Sequence, residues 1–113
     1  MLEPQGREVL DALSPALAKL PNDIAVEGHT DNQPIIPGGE YASNWELSTA
    51  RATTVVRYLI DVEHLGPGRL SATGFADTRP LVPNTSPANQ AINRRVEIVV
   101  LNLDVPSSQT GAA

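Results

Sequence analysis

Three short apolar runs alternate with three stretches of helical periodicity, and this alternation limits the fold more than any other feature of the sequence. The runs DIAVEG, RLSATG and RVEIVVLNL, at residues 23–28, 69–74 and 95–103, have the composition of β-strands. The last run becomes continuously apolar, which predicts a well-buried strand. A helical stretch precedes each run, so the order is α-β-α-β-α-β. This order predicts an α+β fold, an α/β sandwich in which helices pack on one face of a mixed sheet.

The first helical stretch, residues 2–20, contains an internal proline. Its apolar side chains recur every three or four positions, as they do on one face of a helix. Pro15 has no backbone donor, and its ring crowds the preceding turn. We therefore expect the helix to kink or split after Leu13 or Ser14.

The second and third helical stretches begin with recognisable caps. Ser43 and Glu46 have the spacing of a capping box, in which each side chain satisfies a free backbone donor at the helix start. Ser86 followed by Pro87 predicts a short third helix over residues 88–93, because serine caps helices well and proline suits the first helical position.

Length and composition exclude several classes of protein. A chain of 113 residues, 41% of them hydrophobic, suffices for one domain, which we place at residues 1–104, followed by a flexible tail at residues 105–113. The net charge is −5 and the basic residues are dispersed, so no nucleic-acid partner is expected. The absence of cysteine excludes disulfides and thiolate chemistry. No apolar run approaches the roughly 20 residues that span a bilayer.

A charged residue interrupts the apolar stripe of the second helical stretch. At about 100° per residue, Arg51 lies on the same face as Leu47, Thr54, Tyr58 and Val62. This face should point toward the core. Burying a guanidinium without a partner costs several kcal/mol, so an anionic group is expected to meet it.

Asp31 is the leading internal partner for Arg51, because it follows the first predicted strand, which should pack beside this helix. One interpretation is a buried structural ion pair. The other is a pocket open at one end, in which Arg51 binds a carboxylate bidentately and Asp31 accepts an ammonium group. An amino acid head group carries both charges. Residues 29–42 form an unusually long irregular loop beside this pair, and long ordered loops are commonly functional.

Four motifs follow one another along the chain: GHTD, NWELSTARA, RLSATGFADTRPL and NRRVEIVVL. Together they resemble the OmpA-like peptidoglycan-binding domain, over about residues 24–101. The segment TDNQPI, followed by a long loop into YASNWELS, is similar to the flagellar stator branch of that family, the MotB-type periplasmic domains.

The resemblance implies ligand binding without catalysis and without a cofactor. The ligand would be the meso-diaminopimelate residue of a peptidoglycan stem peptide. In the family, the Asp of the HTD motif and the Arg of LSxxRA recognise it, and here these are Asp31 and Arg51. The motifs that surround the family's pocket contain four further residues, Thr30, Asn44, Leu47 and Arg95.

The stator resemblance also implies a cellular setting. It implies a periplasmic domain of a protein anchored in the inner membrane, a homodimer, and a MotA-type channel subunit as membrane partner. Family members usually begin with a strand before the first helix, whereas this chain starts at or inside that helix. We therefore expect the first family strand to be missing and one position of the sheet to be open.

Two other functions remain open. The same domain could belong to an outer-membrane protein or lipoprotein, although the long loop argues against it. Glu27 and Asp31 could be the carboxylate pair of a peptidoglycan hydrolase, but two acids four positions apart at a strand end are commonplace.

His29 and His64 are the only histidines and lie far apart, so no metal site is expected. His29 should instead form hydrogen bonds in the turn after the strand.

Overall fold

The computed structural model describes residues 2–101, so the predicted tail at residues 105–113 lies outside the described residues. The described helices are α1 (Pro4–Lys19), α2 (Asn44–Asp61) and α3 (Pro87–Asn93), and the strands are β1 (Ile24–His29), β2 (Leu70–Gly74) and β3 (Arg95–Val100). A single 3-10 turn, Pro67–Arg69, leads into β2. The predicted order of elements and the α+β class are confirmed.

The three strands form one mixed sheet in the order β2-β1-β3. β1 pairs with β2 in parallel and with β3 in antiparallel orientation, so it is the central strand. Its residues Ile24 and Val26 are fully buried. β3 lies at an edge of the described sheet, and its side chains are mostly half-buried. The prediction of a well-buried third strand is therefore wrong, because an edge strand has a neighbour on one side only.

The hydrophobic core lies between the sheet and the two long helices. Burying one aliphatic side chain in this core stabilises the fold by about 1.5–3 kcal/mol. The core cluster comprises Leu10 and Leu17 of α1, Ile24 and Val26 of β1, Ala52, Val55 and Leu59 of α2, and Leu65.

No helix within residues 2–101 combines the length and the apolar character needed to cross a membrane.

α1 runs without interruption through Pro15, so the predicted split after Leu13 or Ser14 is wrong. Leu10 and Leu17, on either side of the proline, are both buried in the same core. This packing keeps both halves helical although Pro15 cannot donate a backbone hydrogen bond, because most helical stability in proteins comes from tertiary packing.

The predicted caps mark the starts of α2 and α3. The Ser43 hydroxyl accepts a hydrogen bond from the backbone N–H of Trp45 at 3.1 Å and bonds directly to the Glu46 carboxylate. This side-chain bond lowers the pKa of Glu46. Ser43 thus caps α2, but it accepts from the N–H of Trp45 and not from that of Glu46, and its hydrogen bond with Glu46 joins the two side chains. Ser86 accepts from the N–H of Asn89 at 3.1 Å.

Two paired glycines allow α2 to approach the sheet closely. Gly28 of β1 lies opposite Gly74 of β2 in the parallel register. A Cβ atom on Gly28 would lie 2.0 Å from the Ser48 carbonyl oxygen, and one on Gly74 would lie 2.2 Å from Thr49 Oγ1. The absence of these two side chains sets the first turns of α2 against the end of β1, which is where Asp31 follows.

Candidate ligand-binding site

The backbone around Asp31 is held by three elements. Asp31 follows the end of β1, and its neighbour Thr30 donates a backbone hydrogen bond to the Ala76 carbonyl at 2.9 Å, in the turn after β2. The N–H of Ala76 donates to the Ser48 hydroxyl of α2 at 3.0 Å. Asp31 is only 5% exposed. Its position is therefore determined by the fold and not by a mobile loop.

Asp31 pairs with Arg94, so the first of the two interpretations, a buried ion pair of Asp31 with Arg51, is wrong. Arg94 Nη1 lies 2.6 Å from Asp31 Oδ2, and the backbone N–H of Gln33 donates to Oδ1 at 3.0 Å. The reason is topological. β3 runs antiparallel to β1 with Arg95 opposite His29, so the residue before β3 lies beside the end of β1.

Arg51 lies at the margin of the buried face of α2 and is half-buried. The expectation that it occupies the middle of the core-facing stripe is wrong by one position along the helix, or about 100° around its axis. Within residues 2–101, Arg51 makes no ion pair. The residues that α2 does bury are Ser48, Ala52, Val55 and Leu59.

Two cavities with shared lining residues meet at Arg51, and we call them together the Arg51 groove. The smaller cavity, about 360 Å³, lies between the loop after β1 and the start of α2. The larger, about 540 Å³, lies between the start of α1, α2 and β3. Tyr41, Leu47, Arg51 and Arg94 line both. Five of the six predicted site residues line the smaller cavity: Thr30, Asp31, Asn44, Leu47 and Arg51.

Thr30 and Asn44 support the groove through hydrogen bonds to the backbone of the loop. Asn44 Nδ2 donates to the Gln33 carbonyl at 3.0 Å, which ties the start of α2 to the loop. The Thr30 hydroxyl donates to the Asp31 carbonyl at 2.8 Å. Leu47, half-buried, adds an apolar wall. Contact of these residues with a ligand stays a prediction.

Arg95 lines only the larger cavity, and its guanidinium is engaged by the protein itself. Its Nε lies 2.5 Å from Glu97 Oε2, and the other nitrogens donate to the carbonyls of Asn93 at 3.3 Å and Arg79 at 3.0 Å. Arg94, its neighbour in NRRVEIVVL, was not among the predicted site residues. The only sequence signal for the role of Arg94 was the adjacent pair of arginines, and this pair does not indicate which of the two faces Asp31.

His29 is buried without a hydrogen-bond partner. Its ring stacks on Phe75 with centroids 5.3 Å apart, it is 2% exposed, and neither ring nitrogen has a partner among the described residues. The expected hydrogen bond in the turn is wrong, because β1 continues through His29. Burial lowers the pKa of His29 and the charge of Arg95 lowers it further, while Glu97 and Glu27 oppose this shift.

The structure is that of a small α+β domain with a groove lined by arginines. A sequence profile described as the OmpA family matches residues 1–94. The chain belongs to the OmpA family, whose domains bind peptidoglycan and do not catalyse a reaction.

Three similar proteins illustrate the relationship. The uncharacterized protein YtxE of Bacillus subtilis is 44% identical over 100 residues, which cover 88% of this chain and 41% of the relative. Motility protein B of Escherichia coli K12 is 40% identical over 102 residues, or 89% of this chain and 32% of the relative. The solved structure of the cell wall anchor of the T6SS from Pseudomonas aeruginosa is 40% identical with a TM-score of 0.77, covering 87% of this chain and 67% of that one.

These similarities confirm the predicted relationship to MotB-type OmpA-like domains. The chain spans less than half the length of the first two relatives.

Proposed function

We propose that this chain binds the meso-diaminopimelate residue of a peptidoglycan stem peptide and thereby anchors a flagellar motor stator to the cell wall. One observation carries the proposal. Arg51, which has no ion-pair partner among residues 2–101, lines the same cavity as the buried carboxylate of Asp31. A guanidinium and a carboxylate in one cavity suit a ligand that carries a carboxylate and an ammonium group.

The side chain of diaminopimelate ends in such an amino acid head group. In the proposed complex, Arg51 pairs with the carboxylate and Asp31 accepts the ammonium group. A carboxylate offers about four acceptor positions. Arg94 and the N–H of Gln33 occupy one oxygen each, so Asp31 retains acceptor capacity. Arg94 lines the same cavity and adds a second positive charge for the ligand carboxylate.

The surroundings of the acids favour binding over hydrolysis. A glycoside hydrolase needs two carboxyl groups that flank the scissile bond. Glu27 lies in a cluster with His29 and Glu97, whereas Asp31 is paired with Arg94. The two acids of the hydrolase hypothesis therefore face different partners.

The stator assignment rests on the 40% identity to Motility protein B. In this proposal the domain lies in the periplasm as part of an inner-membrane protein and acts as a homodimer beside a MotA-type channel subunit. The second candidate keeps wall binding but assigns the domain to another envelope protein, such as an outer-membrane protein or lipoprotein. The 40% identity to the cell wall anchor of the T6SS supports keeping this candidate, because that protein is a cell wall anchor and is not named as a motility protein.

Co-sedimentation with purified sacculi tests wall binding. We expect the chain to sediment, and we expect Asp31→Ala and Arg51→Ala each to weaken binding by about tenfold or more, as loss of a charge-assisted contact does. Arg57→Ala is the matched control, because Arg57 is an exposed arginine of α2 that lines neither cavity. Equal loss in Arg57→Ala and Arg51→Ala would contradict the proposal. Release of soluble muropeptides would support the hydrolase instead.

Ligand specificity is tested with muropeptides that carry lysine in place of diaminopimelate. Lysine lacks the side-chain carboxylate that Arg51 is proposed to bind, so we expect at least about tenfold weaker binding. Trp45, the only tryptophan, is next to Asn44 and provides the fluorescence signal. Equal affinity for both muropeptides would exclude recognition of that carboxylate.

A chimera separates the two candidates. In this experiment the chain replaces the matching segment of Motility protein B in Escherichia coli. Swimming restored by the native chain but not by Arg51→Ala would support the stator assignment. Wall binding in vitro without restored swimming would favour another envelope protein.

A further inference from the structure

β1 and β3 place three potential metal ligands on the sheet face that points away from α1 and α2. Side chains alternate between the faces of a strand. Ile24 and Val26 of β1 are fully buried and face the helices. Glu27 and His29 therefore lie together on the opposite face of the strand. Glu97 of β3 lies directly opposite Glu27 in the antiparallel register.

His29 is the first sign that this cluster is incomplete. Both of its ring nitrogens are buried and have no hydrogen-bond partner among the described residues. Its Nε2 lies 4.0 Å from Glu27 Oε1, which is too far for a hydrogen bond. Buried polar groups are normally paired, and an unpaired one destabilises the fold. A cation that accepts the lone pair of an imidazole nitrogen would give this ring the partner that it lacks.

The two glutamates are the second sign. Like charges directly opposite each other on antiparallel strands destabilise the pair. Glu27 and Glu97 nevertheless occupy such positions, and both are partly buried. One ligand atom from each of Glu27, His29 and Glu97 lies within 4.8 Å of the others. A cation among them would satisfy the imidazole and remove the repulsion between the carboxylates.

We propose that Glu27, His29 and Glu97 bind a divalent first-row transition cation, with Zn²⁺ as the reference ion and water as a further ligand. Imidazole nitrogen and carboxylate oxygen bind Zn²⁺ at about 2.0–2.2 Å, so tetrahedral ligand atoms lie roughly 3.3 Å apart. The carboxylates must close by about 1–2 Å to reach this geometry. The side chains of Glu27 and Glu97 are 24% and 38% exposed, which leaves them room to move. The histidine disfavours Ca²⁺ and Mg²⁺, which prefer oxygen ligands.

Arg95 positions one carboxylate of this site but does not bind the cation itself. Its Nε holds Oε2 of Glu97 at 2.5 Å and leaves Oε1 for the cation. Donors that hold a ligating carboxylate commonly orient metal ligands in this way. The positive charge of Arg95 also opposes the cation, so the affinity should be lower than in a site that lacks a neighbouring arginine.

The site shares no proposed ligand with the peptidoglycan site, since Asp31 and Arg51 do not belong to the cluster. The cation would join the central strand β1 to the edge strand β3. It should therefore raise the Tm of the domain whether or not peptidoglycan is bound. The Asp31→Ala variant should bind zinc as the native chain does, so the two proposals fail independently.

The test uses the full chain without an affinity tag, freed of metal with a chelator and titrated with ZnCl₂ by calorimetry. We expect one Zn²⁺ per chain, and we expect Glu27→Gln and Glu97→Gln each to weaken binding by about tenfold or more. His64→Ala is the matched control, because His64 is the only other histidine and is exposed. NMR of the ring nitrogens should show that His29, and not His64, shifts on zinc addition.

Specific outcomes would overturn the proposal. These are no saturable binding below about 100 μM Zn²⁺, unchanged affinity in Glu27→Gln, or zinc-dependent shifts at His64 alone. Glu97→Gln also removes the ion pair with Arg95 and is therefore checked by circular dichroism. If that variant does not fold, Glu27→Gln decides the question, because Glu27 forms no hydrogen bond with Arg95 in the described structure.

Discussion

Tyr58 and Asp11 connect the two long helices through their side chains. The Tyr58 hydroxyl donates to Asp11 Oδ1 at 2.6 Å. This bond raises the pKa of Tyr58 to about 12. The pKa of Asp11 is lowered, first by its hydrogen bond with Glu63 and then by that with Tyr58. The contact therefore stabilises the neutral phenol and the ionised carboxylate together.

Removing Asp11 should return the pKa of Tyr58 toward its ordinary value of 10.0. The folded-state pKa lies above that value, so this stabilisation is complete below pH 10 and is lost as the pH rises through about 12. Ultraviolet titration of Asp11→Ala in a Tyr41→Phe background measures the shift, because the chain contains only two tyrosines. Asp61→Ala, at the exposed end of α2, is the control. An unchanged titration in Asp11→Ala would contradict the assignment.

Arg51 and Arg94 have different roles in the groove. Arg94 is bound to Asp31 although its side chain is 43% exposed, whereas Arg51 has no ion pair among the described residues. Removing Arg94 would leave the Asp31 carboxylate buried without its cation, which is unfavourable in itself. Loss of wall binding in an Arg94 variant would therefore report on the fold of the groove as well as on ligand contact.

The contact of α2 with the sheet depends on Gly28. Gly28→Ala would place a Cβ atom 2.0 Å from the Ser48 carbonyl oxygen, and the backbone of α2 would have to move. We expect the free energy of unfolding to fall by about 1–3 kcal/mol, as for other overpacked sites. Urea denaturation followed by circular dichroism measures the change.

Gly68→Ala is the control for this substitution. Nothing lies within 4 Å of the position where its Cβ atom would be placed. At such a position the change in unfolding free energy should stay below about 1 kcal/mol. Equal destabilisation by the two substitutions would show that the close approach at Gly28 is not the cause. Displacement of α2 should also weaken wall binding, because Leu47 and Arg51 line the groove.

The molecule as a whole is acidic, with a net charge of −5, yet its groove is lined by Arg51 and Arg94. Binding of an anionic wall peptide should therefore depend on local attraction and weaken with salt. Raising NaCl from about 0.05 to 0.5 M shortens the screening length from roughly 14 to 4 Å. Sedimentation with sacculi should fall over this range, and the Arg51→Ala variant should lose part of the salt dependence. Binding that is independent of salt would argue against ionic recognition.

Much of the architecture could be predicted because its signals are local. The caps at Ser43 and Ser86 mark two helix starts, and short β-branched runs mark the strands. Predictions failed where a distant contact decides the outcome. Pro15 is accommodated because the core buries side chains on both sides of it. The register of β3 also explains why Glu97 meets Glu27, which no spacing in the sequence indicated.

The sequence by itself determined the order of elements, the family, and the presence of Asp31 at the end of a strand beside an arginine-bearing helix. Caps, periodicity and motifs are properties of neighbouring residues, so they can be recognised without coordinates. Only the tertiary structure decided that Asp31 pairs with Arg94, 63 positions away, and that Arg51 remains without an ion pair in the described chain. The physical reason is strand pairing. Antiparallel alignment of β3 with β1 brings together charged residues that are far apart in the sequence, and their spacing along the chain does not indicate that they will meet.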